Sequence, residues 1–146
     1  MASRYGIEIR AATPADAPGL ADMLAEAGHP LDAVAIADRL PALRQAGTAL
    51  IASRFGPPSG IVVLHWYAML EEARPTARIT TLVVAPEERR NGIGRLLLKA
   101  ASQAARQAGC GTLELVTEAP SLRGFCRATG FAEEGSRFLR SLRKQG

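Results

Sequence analysis

The sequence predicts a mixed α/β fold, in which helices alternate with the strands of one mixed sheet. Two kinds of segment lead to this prediction: apolar, β-branched runs of strand length, and longer amphipathic stretches rich in helix-forming residues. Their order is β-α-α-β-β-β-α-β-α-β-β, which favours an α/β or α+β sandwich over a helical bundle. At 146 residues the chain has the usual size of one domain, so we expect a single domain over residues 1–146.

The first half of the chain supplies three strands and two helices. Thr13 and Pro14 are typical of a helix start, because threonine caps the first turn and proline is favoured at the first helical position. Pro41 should kink or break the second helix. The predicted elements are a strand at 7–10, helices at 13–28 and 32–46, and strands at 48–53 and 61–69.

The second half begins with a β-branched run that we expect to be a central strand. Gly109 and Gly130 each follow a helical pattern and suit the position after a helix end. The predicted elements are a strand at 78–84, a helix at 94–108, a strand at 112–117, a helix at 121–129 and a terminal hairpin from residue 131.

Composition indicates a globular protein without a membrane span. Hydrophobic residues make up 47% and charged residues 22% of the chain, and no run approaches the roughly 18 apolar residues that a span needs. The first residues lack the long apolar stretch of a secretory signal, so we expect a cytoplasmic protein. Cys110 and Cys126 form no CxxC pair and have no histidine at metal-ligand spacing, so we expect free thiols and no metal.

The positive charge does not by itself identify a partner. The formal net charge is +4, but the basic stretch at 137–144 alternates charged with apolar residues, as a terminal strand with one wet face also does. We therefore do not expect a nucleic-acid partner. A ligand with several phosphates suits this charge equally well.

The clearest chemical signal is the loop at 85–93, which joins a strand to the following helix. Such a loop presents unpaired backbone N–H groups at the positive end of the helix dipole, and the two together bind anions. Gly92 and Gly94 let the backbone approach a phosphate closely. The loop lacks the G-x-x-x-x-G-K-S/T pattern of nucleoside-triphosphate sites and the third glycine of a dinucleotide fingerprint. Three arginines add positive charge there: Arg89, Arg90 and Arg95.

These residues resemble a known family, the GNAT superfamily of acyl-CoA-dependent N-acyltransferases. Its pyrophosphate loop has the pattern R/Q-x-x-G-x-G/A, which resembles Arg89-Arg90-Asn91-Gly92-Ile93-Gly94. The end of its fourth strand is similar to Leu82-Val83-Val84-Ala85-Pro86, and its F-Y-x-x-x-G-F segment is similar to Phe125-Cys126-Arg127-Ala128-Thr129-Gly130-Phe131. The resemblance implies a mostly antiparallel sheet of six to seven strands with four flanking helices, in which strands 4 and 5 splay apart.

The resemblance also implies acetyl-CoA as co-substrate and transfer of its acetyl group to a primary amine of a small molecule or peptide, by direct attack. Backbone groups of the fourth strand would pair with the pantetheine arm, and the N–H of Val83 or Val84 would stabilise the oxyanion. A homodimer is a further family-level expectation. The implied cofactor-binding residues are Leu82, Val83, Val84, Arg89, Arg90, Asn91, Gly92, Ile93, Gly94 and Arg95.

The general base is where the sequence departs from this family. An alkyl amine is almost wholly protonated at pH 7 and must lose a proton before it can attack. Many relatives use a glutamate of the fourth strand, but this chain has Thr80 and Thr81 there. His65 is our candidate base because its intrinsic pKa is suitable, although it also fits a packed or exposed sheet residue. Glu114 and Glu118 are the other candidates.

The general acid departs as well, because relatives usually have a tyrosine where this chain has Cys126. A thiol could protonate the departing thiolate, so Cys126 is our candidate acid. A small buried apolar residue in the space of a lost ring is an equally good interpretation. The asparagine that the family has after strand 5 falls on Ala119.

Three functions remain open at this point. The first is the amine acetyltransferase that the resemblance implies. The second is a toxin-like acetyltransferase that acts on aminoacyl-tRNA, which would require a basic face beside the acceptor cleft. The third is a non-catalytic acyl-CoA-binding module, which the missing glutamate and tyrosine would explain.

Overall fold

A computed structural model describes residues 6–89, 91–135 and 140–142. The contacts divide the chain into two compact units, 1–116 and 117–146. Nothing in the structure tests the expectation of a single domain, which stays a prediction.

The first unit contains one sheet and three α-helices. The strands follow the order β1-β2-β3-β4-β5, with β4 and β5 parallel and every other pair antiparallel. The described residues thus form a mixed, mostly antiparallel sheet as predicted, but with five strands rather than six to seven. The elements are β1 (Glu8–Ala11), α1 (Ala17–Glu26), α2 (Ala33–Leu43), β2 (Gly47–Ser53), β3 (Pro58–Tyr67), β4 (Thr76–Val84), α3 (Ile93–Gln107) and β5 (Thr112–Leu115).

The second unit contains the fourth helix, α4 (Pro120–Ala128). Gly130 follows it with a φ of 95°, and the Phe131 N–H donates to the Cys126 carbonyl at 3.0 Å. No strand occurs at 131–135 or 140–142. The rest of the predicted terminal hairpin, 136–139 and 143–146, lies outside the described residues.

The predicted helix start at Thr13 takes a slightly different form in the structure. Pro14–Asp16 is a short 3-10 turn, and α1 begins directly after it. The Asp16 carboxylate accepts the Thr13 backbone N–H at 2.8 Å and two N–H groups of the Arg10 side chain at 2.7 and 2.9 Å. The Arg10 hydrogen bonds lower the pKa of Asp16 to about 2, against an opposing effect of burial. This carboxylate therefore joins β1 to the start of the first helix.

The second helix does not break at its proline. It includes Pro41 and ends at Leu43, where the Arg44 N–H donates to the Pro41 carbonyl at 3.2 Å. Because Pro41 has no N–H to donate to the Ala37 carbonyl, the helix lacks one hydrogen bond in its last turn.

The core lies on both faces of the sheet. Helices α1 and α2 pack on one face, which we call the α1/α2 face, together with Ile61, Val63 and Val83. Helix α3 packs on the other face, where Gly60 lies against Ile93 and Leu97. The buried residues of the α1/α2 face are Ala12, Ala17, Leu20, Met23, Leu24, Ile36, Leu40, Ala49, Ile51, Ile61, Val63 and Ala85.

A β-bulge that was not predicted from the sequence interrupts β4. Val63 is opposite Thr81 and Leu64 is opposite Ile79, so Thr80 is an additional residue in β4. The pairing of β4 with β5 covers 76–79, and β4 continues beyond it to Val84. The bulge therefore lies where β4 leaves its parallel partner.

Within the described ranges, no helix combines the length and the apolar character needed to cross a membrane.

Candidate active site

The start of α3 has the backbone geometry of an anion site. Gly92 precedes the helix with a φ of 74°, a left-handed conformation that glycine adopts without strain. The Leu96 N–H donates to the Gly92 carbonyl at 3.1 Å. This bond joins residues four positions apart and opens the helical hydrogen-bond series of α3. The amides of Ile93, Gly94 and Arg95 precede that bond, so they point out of the helix end toward a potential ligand.

A second set of contacts holds the loop before this helix. The Glu88 carboxylate accepts the Asn91 side-chain amide at 2.6 Å, and the Asn91 N–H donates to the Glu88 carbonyl at 3.1 Å. An Arg54 terminal nitrogen lies 4.0 Å from the same carboxylate. Asn91 was predicted to contact the cofactor and Glu88 was given no predicted role, although an acceptor and a donor three residues apart are a usable signal. The Asn91 side chain thus contacts the loop itself.

Two of the three arginines predicted to contact the cofactor lie within the described residues. Arg89 and Arg95 are exposed, and Arg89 follows the short 3-10 turn Pro86–Glu88. Arg90 lies outside the described residues.

The part of β4 that follows the bulge has backbone groups on the edge that faces away from β3. The Ala85 N–H donates to the Ser59 carbonyl of β3 at 2.8 Å. Because this direction alternates along a strand, Val83 also pairs with β3, whereas Leu82 and Val84 direct their N–H and C=O groups to the opposite edge. On this edge, β5 pairs with β4 only at 76–79, so Leu82 and Val84 lie beyond that pairing.

A glycine brings this edge and the helix start together. A Cβ on Gly60 would lie 2.9 Å from Leu97 Cδ1, 3.1 Å from Ile93 Cγ2 and 3.1 Å from the Val83 carbonyl oxygen. Only a residue without a side chain lets α3 lie this close to β3. Gly60 therefore sets the position of the first turn of α3 relative to the end of β4.

A cluster of polar and aromatic side chains lies at the other end of β4. His65 is opposite Arg78, Tyr67 is opposite Thr76, and Glu114 is beside Arg78 in the parallel pair. The Glu114 carboxylate accepts the Tyr67 hydroxyl and the Arg78 Nε–H, the latter at 2.7 Å. The Arg78 guanidinium carbon is 6.0 Å from the centre of the Tyr67 ring.

These contacts make Glu114 a weak base. Burial raises the pKa of the Glu114 carboxyl, but the Tyr67 and Arg78 hydrogen bonds outweigh it and hold that pKa below its ordinary value. The hydrogen bond from Tyr67 to Glu114 raises the pKa of the Tyr67 hydroxyl, because the hydroxyl proton is shared with an anion. Of the three base candidates, His65 is half-buried on β3, and Glu118 is exposed in the second unit.

The candidate acid lies on α4, in the second unit. Cys126 is half-buried, and burial raises the pKa of its thiol. It follows that this thiol carries its proton at neutral pH. Ala119, at the position of the family's asparagine, directly precedes α4.

Two aromatic residues near β3 differ in exposure. Phe55 is 87% exposed in the turn between β2 and β3, whereas Trp66 is half-buried on β3. In the described part of the chain, no three His, Cys, Asp or Glu side chains are grouped as metal ligands.

Comparison with known proteins decides the family. The model of the acetyltransferase (GNAT) family matches residues 20–131, which is most of the chain. The chain belongs to the GNAT acetyltransferase family. The resemblance predicted from the loop and its flanking segments is thereby confirmed, and this GNAT protein is assigned to the acyltransferase class of enzymes.

Solved structures agree with this family. A protein of Agrobacterium tumefaciens str. C58, assigned as an acetyltransferase, has 26% identity and a TM-score of 0.79, over 92% of this chain and 99% of that one. A ribosomal-protein-alanine N-acetyltransferase of Brucella melitensis biovar Abortus 2308 has 20% identity and a TM-score of 0.79, over 94% and 99%.

A third structure is an aminoglycoside acetyltransferase from an uncultured soil metagenomic sample, in complex with sisomicin, with 17% identity and a TM-score of 0.76 over 94% and 97%. At these low identities, the second and third structures support the GNAT fold alone. No curated protein sequence matches the chain.

Proposed function

We propose that this GNAT protein transfers the acetyl group of acetyl-CoA to a primary amine of a small molecule or peptide. One observation carries the proposal: β4 runs beyond its described pairing with β5 at 76–79 and leads into a helix start whose first amides precede the Leu96–Gly92 hydrogen bond. The extended pantetheine arm can pair with the edge of β4 while the diphosphate binds at the start of α3. The relatives named above act on amines of two different classes, so the fold does not select the acceptor.

The residues of this chain then have separate tasks. The amides of Ile93, Gly94 and Arg95 hold the pyrophosphate, and Arg89 and Arg95 add positive charge beside it. The backbone of Leu82 and Val84 orients the pantetheine arm, because these two residues face the free edge. Of the two oxyanion donors expected from the resemblance, the Val84 N–H has the suitable direction.

Acetyl-CoA supplies an acyl group that is activated as a thioester. A bond forms between the amine nitrogen and the acyl carbon, the carbon–sulfur bond breaks, and the amine loses a proton. His65 is the proposed acceptor of that proton; because it lies opposite Arg78, three β3 residues (~10 Å) from the position of Leu82, it would act through a chain of water molecules. The Cys126 thiol is the proposed donor to the departing sulfur. Glu114 is unsuited to the first task because Arg78 and Tyr67 already neutralise it.

The loop assignment is tested by a matched pair of variants, Gly92→Asp and Gly92→Asn. A Cβ on Gly92 would meet no atom within 4 Å, and both residues tolerate its left-handed backbone. The variants therefore differ in charge alone. A carboxylate beside the pyrophosphate should weaken CoA binding by about tenfold or more, whereas the amide should leave most of the affinity.

Calorimetry with CoA measures this difference, and equal affinity of the two variants would contradict the loop assignment. Release of free thiol from acetyl-CoA with a panel of primary amines tests the activity. If CoA binds tightly but no amine supports turnover, the acetyltransferase proposal fails and a binding module is favoured.

A further inference from the structure

One face of the sheet carries a polar cluster that the proposed cofactor contacts do not use. Its members are His65, Tyr67, Arg78 and Glu114, from three adjacent strands. Side chains alternate along β3, so His65 and Tyr67 lie on the same face as Ile61 and Val63, which is the α1/α2 face. The cluster is thus on the opposite side of the sheet from α3.

The cluster presents a cation that has donors to spare. The Arg78 side chain is 41% exposed; its Nε–H is hydrogen-bonded to Glu114, and Tyr67 is a second hydrogen-bond partner of the guanidinium. The terminal nitrogens of a guanidinium carry four more N–H donors in a planar fork, which matches the two oxygens of a carboxylate. Glu114 and Tyr67 hold this side chain in place, so little entropy is lost when the fork binds a ligand.

The position of the cluster fits an acceptor better than a cofactor. Arg78 directly precedes Ile79, the last β4 residue that pairs with β5, whereas the proposed acyl site lies at Leu82 and Val84. Because Thr80 is a bulged residue, Arg78 to Leu82 spans only the three β3 residues from His65 to Val62, or ~10 Å. A ligand anchored at Arg78 can therefore extend along β4 toward the acyl group from the face opposite α3.

The charges favour an anionic anchor over a second ammonium group. Glu114 is the acid that could hold an ammonium, but it already accepts hydrogen bonds from Tyr67 and Arg78. The Arg78–Glu114 pair is formally neutral, but its exposed remaining groups are guanidinium N–H donors, which suit an acceptor of hydrogen bonds better than an ammonium. The net charge of +4 disfavours polycationic acceptors generally.

From this geometry we infer that Arg78 binds a carboxylate of the acceptor, with Glu114 and Tyr67 as positioning residues. The acceptor class is then an amine that carries a carboxylate several bonds away, either a free amino acid whose reacting amine is distant from its carboxylate or a short peptide with its C-terminal carboxylate. This inference rests on the proposed function and specifies its substrate.

The test compares matched ligands on protein saturated with CoA, by calorimetry. The pairs are 4-aminobutyrate and its amide, 5-aminopentanoate and its amide, and glycylglycine and its amide, so that the free-acid and peptide sources are separated. A bidentate contact between a guanidinium and a carboxylate should give at least one acid about tenfold tighter binding than its amide. Arg78→Met should reduce this ratio to about one, and Arg78→Lys should restore it in part.

The control is Arg106→Met, which removes one exposed arginine from the last turn of α3 and should leave the ratio unchanged. Circular dichroism verifies that each variant folds. Equal binding of acids and amides to the unmodified protein, or a preference that survives in Arg78→Met, overturns the inference. Binding of the acids with no acetyl transfer would instead reject the proposed function and leave the carboxylate anchor standing.

Discussion

Burial raises the pKa of the Cys126 thiol above that of a free cysteine, which is itself protonated at neutral pH. A group in that state can donate a proton to a departing thiolate and cannot accept one. If it does so, the rate should fall as the pH rises through the thiol pKa, since the donor is then lost.

Cys126→Ser tests this role, because a serine hydroxyl is too weak an acid to replace the thiol. We expect kcat to fall about 100-fold and its alkaline limb to disappear, with CoA affinity unchanged. Cys110→Ser is the matched control, since burial also raises the pKa of that free thiol. A kcat unchanged in Cys126→Ser would leave Cys126 as a packing residue.

Some residue roles could be predicted from the sequence because they depend on near neighbours. The loop glycines, the arginines and the helix that follows lie within a short stretch, and their spacing carries the information. The contacts of Glu114 could not be predicted in this way. Tyr67 is 47 positions and Arg78 is 36 positions away from it, so these contacts depend on strand register.

At the scale of elements, the packing of α3 on β3 determines where the helix start lies. Gly60→Ala tests this, because the added methyl group would be 2.9 Å from Leu97 Cδ1 and 3.1 Å from the Val83 carbonyl oxygen. We expect a loss of about 1–3 kcal/mol in the free energy of unfolding, since a packed core accommodates an extra methyl group poorly. CoA affinity should fall as well, because the first turn of α3 must shift.

Urea unfolding and CoA calorimetry measure the two effects. Gly124→Ala in α4 is the control, because a Cβ there would meet no atom within 4 Å and should raise helix stability slightly. A Gly60→Ala protein with full stability and full CoA affinity would show that the close approach is unimportant.

The prediction was accurate for α3 but too long for β5. Helix α3, expected at 94–108, spans Ile93–Gln107, because its glycine boundaries and its composition agree. Strand β5 was expected to continue to Thr117 but ends at Leu115, since its partner strand departs at the bulge. That departure is a property of the sheet rather than of the β5 sequence.

At the scale of the whole molecule, resistance to acid depends on Asp16. Its pKa is about 2 in the folded protein, below the value of about 3.9 in an unfolded chain. The carboxylate therefore stabilises the fold fully above about pH 4, and this contribution is lost as the pH falls toward 2. Because Arg10 is partly exposed, solvent screening reduces the contribution to about 1–2 kcal/mol.

Asp16→Asn should lower the free energy of unfolding by that amount at pH 7 and by much less at pH 2.5, as measured by urea unfolding. Asp22→Asn, at an exposed site on α1, should have no comparable effect at either pH. A deficit in Asp16→Asn that is equally large at both pH values would rule out the carboxylate charge as its source.

Because Thr80 is an extra residue in β4, the odd-numbered and even-numbered side chains change to opposite faces of the sheet there. Before it, Arg78 lies on the same side of the sheet as His65; after it, Val83 lies on that side with Ile61. An amphipathic pattern traced through the whole strand is therefore out of phase with itself. A sequence alignment that pairs β4 with a strand lacking this extra residue, without a gap at Thr80, would match residues on one side of the bulge to residues that face the other side of the sheet.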